Sequence, residues 1–521
     1  MVQVNMIPCS NLTGFMLDDN SEICDCAQPL HDRNMTCDIN TRVITRLPPY
    51  WLSNYSNHLL LHDNCPYDYC KSTVVPIIMI EPNISKQCAF GRHGTLCGSC
   101  HEGLSQVFGT SRCLKCSNIF ILLMFLFAAA GITLVVTLIV FNLTVSKGAI
   151  NGIIFYANIV KINESVLFPP GDTSPFKVFI SWLNLDLGIE ACFYSGMDSI
   201  GKTWLQFLFP LYLWLILAAI ILACRYSITM ARLIGNHAVE VLATTFLLSY
   251  TKLLRTIITV FSSTTIVYPE GQRALWLYDS NHQFGRGDHL ALLLFSLLTF
   301  VFIALPYTLL IVSVQFLRRY SHLCLLKWVT KLMPIFDAYL GPYKHRHGYW
   351  TGLLLLVRLL LVVVFAINVL GNPAINLFII RSTALIVIVL NLGLGGVYKS
   401  KLLTALEIFY VANLLAVASA TSLTREGSWD QRYAIYTSIA LAMLVLFSTI
   451  AYQAVMRIKE KINRLQSQTK GYVLQNANSD LHIGILEPIT EVTTRMEQKT
   501  VPVTETVIDG VPEVEHHYNT A

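Results

Sequence analysis

The chain has 521 residues, of which 54% are hydrophobic and 13% charged, with a mean hydropathy of +0.53. Soluble domains carry about 25% charged residues, so this composition excludes a soluble globular protein and points to a multi-pass membrane protein whose first partner is the lipid bilayer. The net charge of +5 comes without any long basic run or stripe, which argues against a nucleic-acid partner.

Residues 1–117 read as a cysteine-rich outer region. Eleven of the 14 cysteines lie in the first 116 residues, a density that suits an oxidising compartment and a disulfide framework. Sequons at Asn11, Asn34, Asn54 and Asn83 make these the glycosylation candidates of a lumenal surface. No signal peptide is visible, because residues 1–20 lack an apolar segment after a charged start. The expectation is that the first span delivers this region, or that the chain is a fragment. Cys88, Cys97, Cys100, Cys113 and Cys116 follow the spacing C-x8-C-x2-C-x12-C-x2-C. Two CxxC pairs would suit tetrahedral zinc in a reducing compartment, but the sequons favour oxidation, so no metal and no cofactor is expected. An odd count leaves one cysteine free or paired elsewhere, and Cys192 is the candidate partner. The pairing itself stays open.

Residues 118–456 read as the transmembrane helical domain. Uncharged or nearly uncharged runs fall at 119–141, 204–224, 239–263, 290–317, 350–370, 374–396, 402–422 and 432–456, each long enough to cross about 30 Å of hydrocarbon. Basic residues stay in the cytoplasm and Trp and Tyr settle at headgroup level. The stretch 334–358, with Lys344, His345, Arg346, His347, Tyr349 and Trp350, therefore reads as a cytoplasmic loop entering the bilayer. Arg225 and Arg232, Lys399 and Lys401, and Arg457 to Arg464 fall on the same side when the spans alternate. Both the cysteine-rich region and the residues before 204 then lie outside, which requires one further crossing, at 148–168 or at 176–197. The expected fold is an all-α polytopic bundle of about nine transmembrane helices, N-terminus extracellular and C-terminus cytoplasmic, in the plasma membrane, with a small disulfide-rich N-terminal ectodomain. Residues 457–521 extend the last helix for some turns and then thin out in apolar residues, as a largely disordered cytoplasmic tail does.

Several charges fall at bilayer depth: Lys252 and Arg255 three apart in one span, Arg358, Arg381 and Glu407 in others. Such charges are expensive and face a bundle interior or a hydrated cavity. Asp186 and Glu190 are the expected carboxylate partners of Lys252 and Arg255, and together these residues are the candidate polar centre. Lys161 and Glu164, three apart, would partly neutralise one another. The bland alternative is snorkelling or a structural ion pair such as Arg358 with Glu407. Pro210 and Pro306 should kink their spans. The outer loop 279–289 resembles a calcium loop but lacks the glycine and the bidentate glutamate at the required places. No HExxH, P-loop or GxSxG motif occurs, so no catalysis is expected.

The strings GRHGTLCGSC, GAINGIIFYANIV, FISWLNLDLGIEACFYSGMD, LLSYTKLLRT, LPYTLL and FDAYLGPYKHRHGYWTGLLLLVR resemble a family of largely uncharacterised multi-pass proteins from early-branching animals, over about residues 88–425. The resemblance implies repeated cysteine-rich ectodomains ahead of the membrane domain, of which this chain carries one, and hence a truncated N-terminus. The architecture is more distantly similar to fungal transient-receptor-potential-like and polycystin-like proteins. Two functions compete: a channel or transporter whose ectodomain senses a ligand or force, and a cell-surface receptor or adhesion protein that binds an extracellular ligand or protein. A continuous polar cavity along Lys252, Arg255 or Arg358 would favour the first, and a dry bundle with paired charges the second.

Overall fold

The computed structural model describes most of residues 15–117, and residues 122–168, 174–186, 192–227, 238–314, 327–367, 373–423 and 429–483. Of the residues singled out above, Asn11, Asn83, Glu190 and Arg232 lie outside the described residues.

The N-terminal region is built from short antiparallel pairs. Strands β1 (Phe15–Leu17) and β2 (Cys24–Cys26) pair, and a helical turn α1 (Gln28–His31) follows. β3 (Thr36–Asp38), β4 (Val43–Arg46) and β7 (Val75–Ile78) make a three-stranded sheet, and β5 (Trp51–Tyr55) pairs with β6 (His58–His62). Two-residue ladders join β8 (Arg92–His93) to β9 (Ser99–Cys100) and β10 (Ser105–Gln106) to β11 (Cys113–Leu114). The apolar clusters are small: one centres on Leu30, Ile44, Leu52 and Ile77, another on Trp51, Leu60 and Leu96. Cores of this size supply only a few kcal/mol, and covalent staples make up the difference. The staples are Cys26–Cys37, Cys65–Cys70, Cys88–Cys97, Cys100–Cys113 and Cys116–Cys192. All five cysteines of the double CxxC spacing are thus in disulfides.

Eight helices among the described residues are long and apolar enough to cross a membrane. In chain order the helices are α2 (Leu122–Phe141), α3 (Asn151–Ile162), α4 (Glu164–Leu167), α5 (Pro175–Leu183), α6 (Ser199–Tyr226), α7 (Ala238–Phe261), α8 (Asp288–Thr299), α9 (Leu305–Val312), α10 (Lys327–Leu340), α11 (Trp350–Ile367), α12 (Pro373–Gly393), α13 (Lys401–Leu423) and α14 (Trp429–Ile483). Residues up to Ala454 form one compact unit and those from Val455 a second, whose described part is the stretch 455–483 of α14.

The central helix is α7. Of its most apolar stretch 78% is buried, against 17–56% in the other seven, and its mean hydropathy, 1.3, is the lowest of the eight. A helix surrounded by protein need not be greasy all round, which is how α7 accommodates threonines, serines and two cations. At about 1.5 Å per residue its 24 residues span about 36 Å, so its two ends mark the two ends of the bundle.

At its N-terminal end lie the basic loops. The turn Val145–Lys147 docks there, with Ser146 Oγ donating to Glu240 at 2.8 Å and Val145 N–H to Thr244 at 3.0 Å. Tyr343 and Tyr398 pair across an isolated bridge, and Lys344 Nζ donates to the carbonyls of Gly395 and Gly396 at 2.9 and 2.7 Å. Gly148 is required here: its φ is +75°, and a Cβ would lie 2.7 Å from Pro342. At the C-terminal end of α7, strands β12 (Ser263–Tyr268), β13 (Gly271–Trp276) and β14 (Asp279–Gln283) form a meander on which the N-terminal region rests. Tyr69 Oη donates to the carbonyl of Tyr278 at 3.0 Å, and Ser99 Oγ to Asp279 at 3.3 Å. The loop that superficially resembled a calcium site is β14 and the turn from it into the helix at Asp288, and Asp279 Oδ1 accepts from Ser99 Oγ and the Asn281 N–H.

The chain must travel between these two ends after residue 147 and before α6. Neither 148–168 nor 176–197 forms one membrane-length helix. α3 and α4 rise in tandem, and α5 folds back along them. Glu164 meets Lys177, Lys161 meets Ser181 and Asn158 meets Asn184, so α5 runs antiparallel to α3. α3 is buried almost throughout, which lets a segment with Asn, Lys and Tyr sit at bilayer depth.

Pro210 lies inside α6. Pro306 stands in the first turn of α9, directly after a π-helical turn, Phe300–Ala304. The wider turn accommodates the missing N–H inside one continuous span, Asp288–Val312.

Candidate functional site

The polar centre forms where the α3–α5 hairpin meets α7. Leu185 closes α5 with φ +54°, a left-handed conformation that disfavours a leucine. This turn presents both the Leu185 carbonyl and the Asp186 carboxylate to α7. Lys252 Nζ donates to the former at 2.6 Å and to Asp186 Oδ1 at 2.7 Å. Arg255, one turn further along α7, reaches Asp186 Oδ2 at 3.1 Å, and Lys161 stands 3.6 Å from the same oxygen. Lys161 also contacts Glu164 at 2.5 Å and Ser181 Oγ at 2.9 Å, and Lys177 completes the cluster 3.0 Å from Glu164. Four cations thus share two carboxylates among the described residues. Lys252 and Lys161 are 2% and 5% exposed, whereas Arg255 is 32% exposed, so the two lysines carry the burial.

The roof of this cluster comes from the N-terminal region. The β10–β11 hairpin carries Phe108, which is 1% exposed and packs on Phe127 and Phe193. The Lys252 ammonium lies 5.6 Å from the Phe108 ring centre and 5.3 Å from that of Phe209, within range of a cation–π contact. Gln106 N–H donates to the Met197 carbonyl at 2.8 Å, Lys202 donates to the Thr110 carbonyl, and Cys116–Cys192 ties the strand end to the segment entering α6. Phe108 and Lys177 were not read from the sequence. A lone aromatic in a hairpin turn and a lone lysine in a nine-residue helix carry no periodic signal.

The remaining intramembrane charges do not join this cluster. Arg381 donates to Ser422 Oγ at 3.1 Å on the partly exposed α12–α13 seam. The expected Arg358–Glu407 ion pair is absent. Glu407 Oε1 accepts from Trp350 Nε1 at 2.7 Å, and the Arg358 guanidinium lies over the Phe155 ring at 5.4 Å. Trp350 is fully buried, and the Glu407 carboxylate gives its indole N–H a partner inside the bundle. Near it, Asn151 Nδ2 donates to Tyr343 Oη at 3.2 Å, and burial pushes the Tyr343 phenol up to about 12. Arg358 Nε and Asn151 Oδ1 are buried without a hydrogen-bond partner in the protein.

Comparison with protein-family models, with curated proteins and with solved structures found no match.

Proposed function

We propose that this chain is a receptor-like membrane sensor: its cysteine-rich region binds an extracellular ligand or protein, and the β10–β11 hairpin passes that event to the membrane domain. The observation that carries this reading is the seat of Phe108 on Lys252, since Lys252 is also the residue that ties α7 to Asp186. A displacement of the hairpin changes the surroundings of a buried charge. Buried ion pairs respond to such changes with energies of several kcal/mol. In this reading the α3–α4 tandem is the ninth crossing, α5 is re-entrant, the basic loops are cytoplasmic and the plasma membrane is the location. The family resemblance belongs to the same proposal, and no catalysis is assigned.

A second reading, an ion channel, is supported by the π-turn before Pro306 and by the partnerless polar atoms of Arg358 and Asn151. The two are separable. An antibody fragment raised against the folded ectodomain serves as a surrogate ligand for the full chain in nanodiscs. The sensor reading expects its binding to change amide hydrogen exchange around Leu248–Thr256 and Ser181–Asp186, with no current in whole-cell recording. Unchanged exchange at both segments overturns that reading, and a fragment-dependent current replaces it with the channel.

A further inference from the structure

Two disulfides of the N-terminal region touch. Cys65–Cys70 and Cys88–Cys97 are separate bonds, yet Cys70 Sγ lies 3.5 Å from Cys97 Sγ, and the sulfurs of Cys65, Cys70 and Cys97 all lie within 4.8 Å of one another. Cys70 and Cys88 are also backbone partners across an isolated antiparallel bridge. The two bonds differ in access. Cys88 and Cys97 are 1% and 0% exposed, whereas Cys65 is 8% exposed and Cys70 is half-buried. An external nucleophile therefore reaches the Cys65–Cys70 bond and not its neighbour.

We infer that these four cysteines form a thiol–disulfide exchange site whose substrate is a small extracellular thiol. The thiolate attacks Cys65 Sγ and forms a mixed disulfide there. The Cys65–Cys70 bond breaks and its electron pair leaves on Cys70; Cys70 is the more open of the two sulfurs, but only attack at Cys65, 8% exposed, releases the thiolate that already touches Cys97. The Cys70 thiolate then attacks Cys97 Sγ, the sulfur it already touches. The Cys70–Cys97 bond forms, the Cys88–Cys97 bond breaks, and the pair leaves on Cys88, which takes up the proton the external thiol gave up. One thiol is consumed and one appears, so no further oxidant or reductant is needed. Attack through a mixed disulfide is the ordinary route of such exchange.

The surroundings favour the second step. Arg92 is 1% exposed, donates to the carbonyls of Cys97 and Gly98 at 3.0 and 3.1 Å, and lies 3.5 Å from the centre of the Tyr69 ring. Its guanidinium is thus fixed on the backbone of the Cys97 turn, and a positive charge held near a cysteine cluster favours thiolate over thiol. Leu96 and Cys97 are consecutive non-glycine residues with φ of +50° and +57°, a strained turn that the Cys88–Cys97 bond closes. Exchange opens that closure. The turn abuts β14, where a Cβ on Gly98 would lie 2.7 Å from Ser280 N, so the exchange acts at the contact between the N-terminal region and the β12–β14 sheet. This inference stands independently of the sensor reading.

The test uses the full chain in nanodiscs, treated with reduced glutathione, quenched in acid, alkylated and mapped by mass spectrometry. The expected result is a Cys70–Cys97 linked peptide, absent before treatment, together with alkylated Cys88 and glutathionylated Cys65. Glutathionylation with Cys88–Cys97 intact overturns the inference, as does reduction of both bonds without a Cys70–Cys97 product. In Cys65→Ala, which leaves a Cys70 thiol, the same linked peptide and a free Cys88 should form without glutathione. Should that variant not fold, the native-chain map decides alone.

Discussion

The most direct perturbation is Asp186→Asn, which keeps size and one acceptor but removes the charge. Asp186 holds Lys252 at 2.7 Å and Arg255 at 3.1 Å, with Lys161 at 3.6 Å. At an effective dielectric constant of about 20, unit charges at these separations attract by roughly 5–6 kcal/mol per pair. The wild-type side chains also bear a desolvation penalty, so the net loss on breaking a buried pair is about 3–5 kcal/mol. Arg255 is partly solvated and contributes little to that sum. The loss is read as a fall in apparent unfolding temperature of the detergent-solubilised protein, of roughly 3–5 °C for a chain this large. The decisive arm is the double variant Asp186→Asn with Lys252→Met. Removing the stranded cation should recover about half of the loss, since the two residues act as a pair. A fall below about 2 °C in the single variant, or additive losses in the double, would refute the view that the cluster is a closed buried network.

Phe108→Ala should cost about 3 kcal/mol as a buried aromatic truncation, and should abolish the antibody-induced exchange change while leaving ectodomain binding intact. Replacing Cys116 and Cys192 together by serine opens a bridge of sequence separation 76. It should lower stability by about 4 kcal/mol on a chain-entropy account, measured under non-reducing conditions against the Cys100–Cys113 double variant as a comparison. Gly98→Ala should loosen the N-terminal region from β14, seen as faster protease cleavage, because its Cβ meets backbone. Gly103→Ala meets nothing within 4 Å, and with φ +79° it should cost only about 1 kcal/mol. Glycosylation mapping should modify Asn83 and leave Asn142 unmodified. Asn142 is 6% exposed with φ +48°, in the turn after α2.

The apolar spans are legible because hydropathy is a local property: a window of about twenty residues carries its own answer. Even α7, the least apolar, shows itself as 239–263. Its two cations three residues apart announce a buried polar face, since a charge at bilayer depth needs a partner. What local pattern does not carry is which partner. Trp350 and Arg358 lie on one helix and either can approach Glu407; an indole N–H fills the place because α11 and α13 both pack on α3, which sets their relative position. The tandem α3–α4 escaped a clean reading for a related reason. Its burial is by protein, so its asparagines and lysine are tolerated and the hydropathy signal fades. Phe108 illustrates the limit most clearly: its contact with Lys252 joins the two halves of the molecule through tertiary packing alone.

The Cys116–Cys192 bond also sets an order of events in biosynthesis. Its two sulfurs flank α2, α3, α4 and α5, so everything between them is enclosed in one covalent ring. The ring closes only when residue 192 has come back to the compartment that holds residue 116. Oxidation of this pair therefore marks the moment when the first turn of the chain through the membrane is complete. A chain that stalls with α3 on the wrong side keeps two unpaired thiols, one of them beside the double CxxC segment. Quality control that senses exposed thiols would hold back that species and release the closed one.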